Sequence, residues 1–187
     1  TEEAGVDLPS EASPLVSNLE SPRSVEYATA SFGQGIALSP IAMARSLSAL
    51  ANRGIPPTPH VVRAIHYRSG LTKEISYPAR APAIQPETAD EITRMLVEVV
   101  DSALAGGTQR FPDYSVAAKT GTAEIANPKG GGYYDDRFLH SFFGYFPAYE
   151  PRFLVFLYTL EPQGVKYASQ TLSEPFHSLT GFLINYY

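Results

Sequence analysis

The chain has 187 residues, 44% of them hydrophobic and 18% charged, with no cysteine and a formal net charge of −5. Those proportions are those of a globular domain with a real core. They exclude disulfides and thiolate metal sites, and the acidic balance without a Lys/Arg stripe argues against nucleic acid as a partner. No apolar run approaches the ~18 residues of a membrane span.

Residues 1 to about 30 are rich in Ser, Pro and Glu. They read as a loop-rich lead-in, held on a core by Val6-Asp7-Leu8-Pro9 and Leu15-Val16. The start Thr1-Glu2-Glu3 carries no initiator Met and no signal peptide, which suggests a processed or excised piece. Ser39 as N-cap and Pro40 at the first helical position open a helix over about 40–53, with an apolar stripe at Ile41, Ala44, Leu47 and Ala51. Gly54 closes it.

Pro56, Pro57 and Pro59 forbid helix next, and Val61–Tyr67 and Thr72–Tyr77 flank Arg68-Ser69-Gly70 as a hairpin. A second helix begins either at a Thr88…Glu91 capping box or a turn earlier at Gln85-Pro86. Its apolar face is Ile92, Met95, Leu96, Val99, Val100 and Ala103, and Gly106-Gly107 stops it.

Three strands follow, at about Ser115–Ile125, His140–Phe146 and Phe153–Leu160. The last is apolar on both faces and is expected to be central. The turn Pro147–Pro151 makes the last two antiparallel neighbours. Asn127–Gly132 is expected to be a flexible loop rather than a phosphate loop, since it lacks the strand–loop–helix context. A final helix spans about Ala168–Tyr186, with Phe176, Leu179, Leu183 and Tyr186 on one face and Pro175 as a kink or start. Helices, then an antiparallel sheet, then a helix on that sheet make the fold class α+β.

The chemistry concentrates in the first of those strands. Lys119-Thr120-Gly121-Thr122 places a cation, two hydroxyls and a glycine within four positions. Such a strand suits an anion-binding cleft better than a core. His60, His66, His140 and His177 have no metal-ligand spacing, and His140 reads as a core or edge residue. Tyr133 and Tyr134 are candidates for a cleft mouth.

Lys119-Thr120-Gly121 resembles the Lys-Thr-Gly motif of penicillin-recognising serine enzymes. The segment Phe32-Gly33-Gln34-Gly35-Ile36-Ala37-Leu38-Ser39-Pro40-Ile41-Ala42-Met43-Ala44 is similar to that family's Gly-Gln-Gly segment and the helix it enters. Ala49–Gly54, Thr58-Pro59-His60, Gly5–Glu11, Asp136-Arg137 and Glu161-Pro162 continue the likeness in order. The resemblance is closest to class B penicillin-binding proteins, the monofunctional D,D-transpeptidases of division and elongation. It implies half of a penicillin-binding/β-lactamase-like transpeptidase fold, with residues 1–187 forming the C-terminal part of the domain.

It implies further that Lys119 and Thr122 are catalytic, and that Thr120, Gly121, Thr122 and Gln34 bind substrate. Gln34 reads at least as well as a structural loop amide. The implied partners are a D-Ala-D-Ala stem peptide, β-lactams, the missing N-terminal half of the domain and a membrane glycosyltransferase of the divisome or elongasome. No metal or organic cofactor is implied. The family setting is the extracytoplasmic face of the membrane, through an anchor outside this chain.

Two family motifs are missing. Three residues before Lys73, Lys119, Lys129 and Lys166 stand Gly70, Val116, Ala126 and Gln163, so there is no Ser-x-x-Lys. Two before Asn18, Asn52, Asn127 and Asn185 stand Val16, Leu50, Ile125 and Leu183, so there is no Ser-x-Asn. The expectation is therefore a substrate-binding wall whose nucleophile lies elsewhere. The alternative is a non-catalytic β-lactam sensor, or a pseudo-enzyme or interaction module, of the same fold. Strict alternation sets Lys119 and Gly121 on one face and Thr120 and Thr122 on the other. For Lys119 and Thr122 to share a site, the strand is expected to be an edge that twists or bulges near Gly121.

Overall fold

The computed structural model describes residues 3–186. It divides after Ala89 into two compact units.

In the first unit the lead-in holds a 3-10 turn, Ser17–Glu20, and a short helix α1, Ser24–Ala30, that the Ser/Pro/Glu composition concealed. Side chains close α1 locally. Arg23 pairs with Glu26, and the Thr29 hydroxyl donates back to Val25 O at 3.0 Å. Of the expected apolar anchors Val6 and Val16 are half-buried, whereas Leu8 and Leu15 are 53% and 71% exposed. Polar bonds hold the segment instead. The Asp7 carboxylate accepts from Val61 N at 2.7 Å, Val62 N at 2.8 Å and the Tyr77 hydroxyl at 2.9 Å. Burial raises the Asp7 pKa, but these three donors outweigh it and hold the carboxyl below its ordinary value. Leu15 and Ala37 exchange both backbone bonds, at 2.8 and 3.0 Å.

Helix α2, Pro40–Ala51, is capped as its sequence requires, with Ser39 Oγ accepting from Ala42 N at 3.1 Å. Gly54 ends the turn at φ +94°, where any Cβ would collide with Ile84 O. The hairpin forms but is short: β1, Ala64–His66, pairs antiparallel with β2, Thr72–Glu74. The Val61 and Val62 amides are taken by Asp7, so the ladder does not extend back to them.

Helix α3, Pro86–Glu98, takes the earlier of its two possible starts. Thr88 N and Ala89 N both bond to Gln85 O, and Glu91 pairs with Arg94 rather than closing a capping box. A π-helical turn, Val99–Ala103, and a 3-10 turn, Leu104–Gly107, finish the segment. The buried face differs from the one expected. It runs Ala89, Thr93, Leu96 and Val100, while Met95 is 51% exposed. Thr93 is buried because its hydroxyl lies 2.7 Å from that of Tyr145, a fully buried residue. Burial raises the Tyr145 pKa, and the bond to Thr93 offsets it only in part.

The main sheet has the order β3-β4-β5, with β3 Ala117–Ala126, β4 Tyr133–Phe146 and β5 Phe153–Leu160. Both pairings are antiparallel. β4 is longer than expected because Tyr133–Phe138 continues the hairpin with β3. The expectation that Phe153–Leu160 is central fails: β4 is central and β5 is an edge among the described residues. An apolar composition reports a demand for burial, not the number of strand neighbours. Only Val155 of β5 is buried. The connecting loop is closed by Asn127, whose Oδ1 accepts from Lys129 N at 3.0 Å and Gly130 N at 3.2 Å.

Helix α4, Ala168–Tyr186, has the predicted bounds, with Pro175 inside it. Its buried face is rotated from the expected one, to Ala168, Leu172, Phe176 and Thr180, leaving Tyr186 67% exposed. The pivot is Phe176, which stacks on Phe142 with ring centroids 4.2 Å apart. Gly144 makes room for it, since a Cβ there would collide with both Phe176 and Ala118. The core of this unit is Val100, Leu104, Val116, Ala118, Phe142, Phe146, Val155, Leu172 and Phe176.

Candidate functional site

The four residues Lys119–Thr122 lie on β3, whose outer side has no strand neighbour among the described residues. The flanks explain why they sit there. Val116, Ala117 and Ala118 are buried and small, so the start of β3 packs tightly against the core while the next residues emerge to the surface.

The expected bulge near Gly121 is absent, and that reading is corrected. The register is regular from Ala117 opposite Tyr145 to Glu124 opposite Phe138, and it shifts only between Glu124 and Ala126. Cross-strand packing accounts for the regularity. Ala118 lies in the core with Phe142 and Phe176, and Thr122 faces α4, so period two fixes Thr120 on that same side. Lys119 and Gly121 face the opposite side. The alternation expected from period two therefore holds through Thr122, and only the bulge is missing. A backbone N–H lies in the plane of a sheet, so the peptide of Thr122 needs no bulge to serve the same edge as Lys119.

Each side chain has a definite neighbour. Lys119 is exposed, and its Nζ donates to Thr120 O at 3.0 Å. Gly121 sits against β4: a Cβ there would lie 2.5 Å from Ser141 Oγ, which itself lies 3.5 Å from Gly121 O. The glycine is required by close approach, not by an unusual φ. Thr122 Oγ1 accepts from Ala168 N at 3.0 Å, at the first residue of α4.

Directly across the ladder from Thr122 is His140, fully buried. Its Nε2 lies 2.8 Å from Lys166 O and its Nδ1 2.9 Å from Thr171 Oγ1. A carbonyl can only accept, so Nε2 carries the hydrogen. Sequence reasoning placed His140 in the core or at an edge but missed these two bonds. A lone histidine in an aromatic strand gives no signal of them.

Gln34 belongs to the first unit, between Gly33 and Gly35, both at positive φ. It is half-buried, and its N–H bonds to Thr29 O at 3.1 Å. Tyr134 carries the Arg137 guanidinium over its ring at 4.3 Å, and Arg137 also reaches Glu161 at 3.8 Å. Among the described residues no group of three His, Asp or Glu could hold a metal ion, and no helix is long and apolar enough to cross a membrane.

An antiparallel sheet backed by a C-terminal helix, with a lysine, hydroxyls and a close-packed glycine on one edge strand, defines an α+β protein. The family model for the penicillin-binding protein transpeptidase domain matches residues 2–179. The chain belongs to that family.

Penicillin-binding protein PbpB of Mycolicibacterium smegmatis is 29% identical, over 96% of this chain and 29% of its own length. Stage V sporulation protein D of Bacillus subtilis is 29% identical, over 93% of this chain and 27% of its own. Peptidoglycan D,D-transpeptidase FtsI of Escherichia coli is 30% identical, over 81% of this chain and 24% of its own. The chain thus spans less than a third of the length of these relatives. Among solved structures, penicillin-binding protein 3 of Mycobacterium tuberculosis complexed with ampicillin superimposes with a TM-score of 0.87 at 28% identity, covering 98% of this chain and 42% of that one. The same protein complexed with aztreonam gives 0.86.

Proposed function

We propose that β3 is the substrate-binding wall of a serine D,D-transpeptidase that cross-links peptidoglycan stem peptides through an acyl-enzyme. The observation that carries this reading is the position of Lys119-Thr120-Gly121-Thr122 on an edge strand, in a chain of the transpeptidase family. Lys119 supplies a cation for the terminal carboxylate of D-Ala-D-Ala or the carboxylate of a β-lactam. Thr120 offers a further hydroxyl for substrate from the other face of the strand. Gly121 lets the ligand backbone lie against the strand as an added strand would. The Thr122 N–H forms half of an oxyanion hole, a donor whose loss typically costs about 10²–10³ in rate. Gln34 is a second substrate contact in this reading.

The nucleophilic serine comes from residues outside these 187, since the chain has neither Ser-x-x-Lys nor Ser-x-Asn. Residues 1–187 are then the C-terminal part of the domain, working at the extracytoplasmic face of the membrane beside a glycosyltransferase. In the reaction the serine Oγ attacks the D-Ala carbonyl, and the peptide bond breaks. The terminal D-Ala leaves as the amine, with the proton from the serine. An acceptor amine then attacks the acyl carbon, the ester bond to the serine breaks, and the amine's proton returns to the serine Oγ as the cross-link closes.

Fluorescent penicillin, with a cross-linking assay on the complete protein, tests this. The reading expects covalent label on the complete protein, none on the 187-residue chain alone, and cross-linked product. Label without cross-linking favours the sensor reading, and absence of label on the complete protein contradicts both.

A further inference from the structure

We propose that His140 is a positioning residue for the Lys119–Thr122 strand. It fixes the first turn of α4, and that turn in turn holds Thr122. Three bonds converge on one short segment. Thr122 Oγ1 takes the Ala168 N–H at 3.0 Å, and His140 donates Nε2–H to Lys166 O at 2.8 Å. His140 Nδ1 lies 2.9 Å from Thr171 Oγ1, whose hydroxyl also lies 3.2 Å from Ala168 O. Thr122 and His140 are themselves direct cross-strand partners. The two strands therefore grip the segment 166–171 from adjacent positions on the same face.

The chemistry of the segment explains why it needs gripping. The first amides of a helix have no intrahelical acceptor and must be capped from outside. Gln170 Oε1 caps the Tyr167 N–H at 3.0 Å, and Thr122 caps the next amide, that of Ala168. The Lys166 carbonyl, just ahead of the helix, takes its hydrogen from His140. A fully buried imidazole with bonds at both nitrogens is a costly residue to place in a strand of aromatic packing. Leucine or phenylalanine would fill that space more simply. What the imidazole adds is direction: two bonds at a fixed angle, which set where α4 begins relative to β3.

The consequence is mechanical. If α4 started elsewhere, the Ala168 N–H would pull Thr122 Oγ1 with it, and the Thr122 peptide would turn away from the edge. A displaced oxyanion donor affects the transition state and not the ground state, because charge develops on the carbonyl oxygen only during attack. His140 touches no substrate in this account and acts only through Thr122.

The inference rests on the reading of Thr122 as an oxyanion donor, and the test separates the two. In the complete protein, stopped-flow acylation by fluorescent penicillin resolves the non-covalent dissociation constant from the acylation rate constant, with rates expressed per folded molecule. His140→Leu keeps the volume but removes both bonds, and Thr171→Val removes the partner of Nδ1 together with the 3.2 Å contact to Ala168 O. His140→Gln restores a donor toward Lys166 O. Lys119→Ala reports on the strand itself.

The expected result is an acylation rate constant down about 10- to 100-fold in His140→Leu, down less in Thr171→Val and largely recovered in His140→Gln. The dissociation constant stays within about twofold of the parent for these three, as a transition-state effect requires. Should His140→Leu fail to fold, Thr171→Val and His140→Gln decide between them. An unchanged rate constant in both His140→Leu and Thr171→Val, with Lys119→Ala impaired, overturns the role of His140 and leaves the strand reading intact. An unimpaired Lys119→Ala removes the strand reading itself.

Discussion

Gly121 and Ser141 are direct cross-strand partners, and the Ser141 hydroxyl fills the space over Gly121. A methyl on Gly121 would lie 2.5 Å from Ser141 Oγ, on the face of the sheet that also carries Lys119. The contact ties the candidate site to the sheet behind it.

Gly121→Ala should therefore force Ser141 out of its position or lift β3 from β4, a cost of about 1–2 kcal/mol by comparison with other overpacked sites. Ser141→Ala removes the obstructing oxygen and leaves the nearest remaining atom, Ser141 Cβ, at 3.9 Å. The double variant is expected to recover most of the denaturation midpoint lost in Gly121→Ala. A double variant no more stable than Gly121→Ala would show that the obstruction lies elsewhere.

The Thr93–Tyr145 pair predicts non-additivity. Both residues are buried, with hydroxyls 2.7 Å apart. Removing the Thr93 hydroxyl strands that of Tyr145, at about 1–3 kcal/mol, whereas removing both with the shapes kept costs little. Thr93→Val should lower the urea midpoint clearly, and Tyr145→Phe should do so less or similarly. The combination should fall well short of the sum. Additive losses in a double-mutant cycle would contradict the coupling.

Asp7 predicts a pH dependence. Its folded pKa lies below the ordinary carboxylate value because the Val61 and Val62 amides and the Tyr77 hydroxyl outweigh the opposing effect of burial. A depressed carboxyl contributes stability above its unfolded pKa and loses that contribution as pH falls through the folded one. Asp7→Asn should thus melt lower than the parent at neutral pH. The gap should close at acid pH, as pH falls below the ordinary aspartate value of 3.8. Melting curves from pH 7 down to about pH 2.5 check this, and a gap that widens on acidification has the wrong sign.

The elements were more legible in the sequence than their faces. Ser39-Pro40 marked the start of α2 because a capping hydroxyl and a proline act locally. The bounds of α4 were equally readable. The buried face of α3 was misread because Thr93 counts as polar until Tyr145 supplies a partner 52 positions away. The apolar residues of β5 suggest a central strand, yet neighbour count is a property of the sheet. The Lys119–Thr122 motif was visible as chemistry, and its edge strand followed. The regular ladder did not, because alternation in the sequence does not show that a side chain and a backbone N–H can serve one strand edge without a bulge. His140 was invisible as a functional residue, since its value lies in Lys166 O and Thr171 Oγ1, which only the fold brings to it.

The central claim is that the Lys119 cation on β3 receives the substrate carboxylate. The most direct measurement is the second-order rate of acylation of the complete protein by fluorescent penicillin, with and without Lys119→Ala. A charge-assisted bond of about 1.5–3 kcal/mol corresponds to roughly a 10- to 150-fold loss. Lys119 is exposed and outside the core, so the melting temperature should hold within about 1–2 °C. A Lys119→Ala protein acylated at the parent rate would contradict the account.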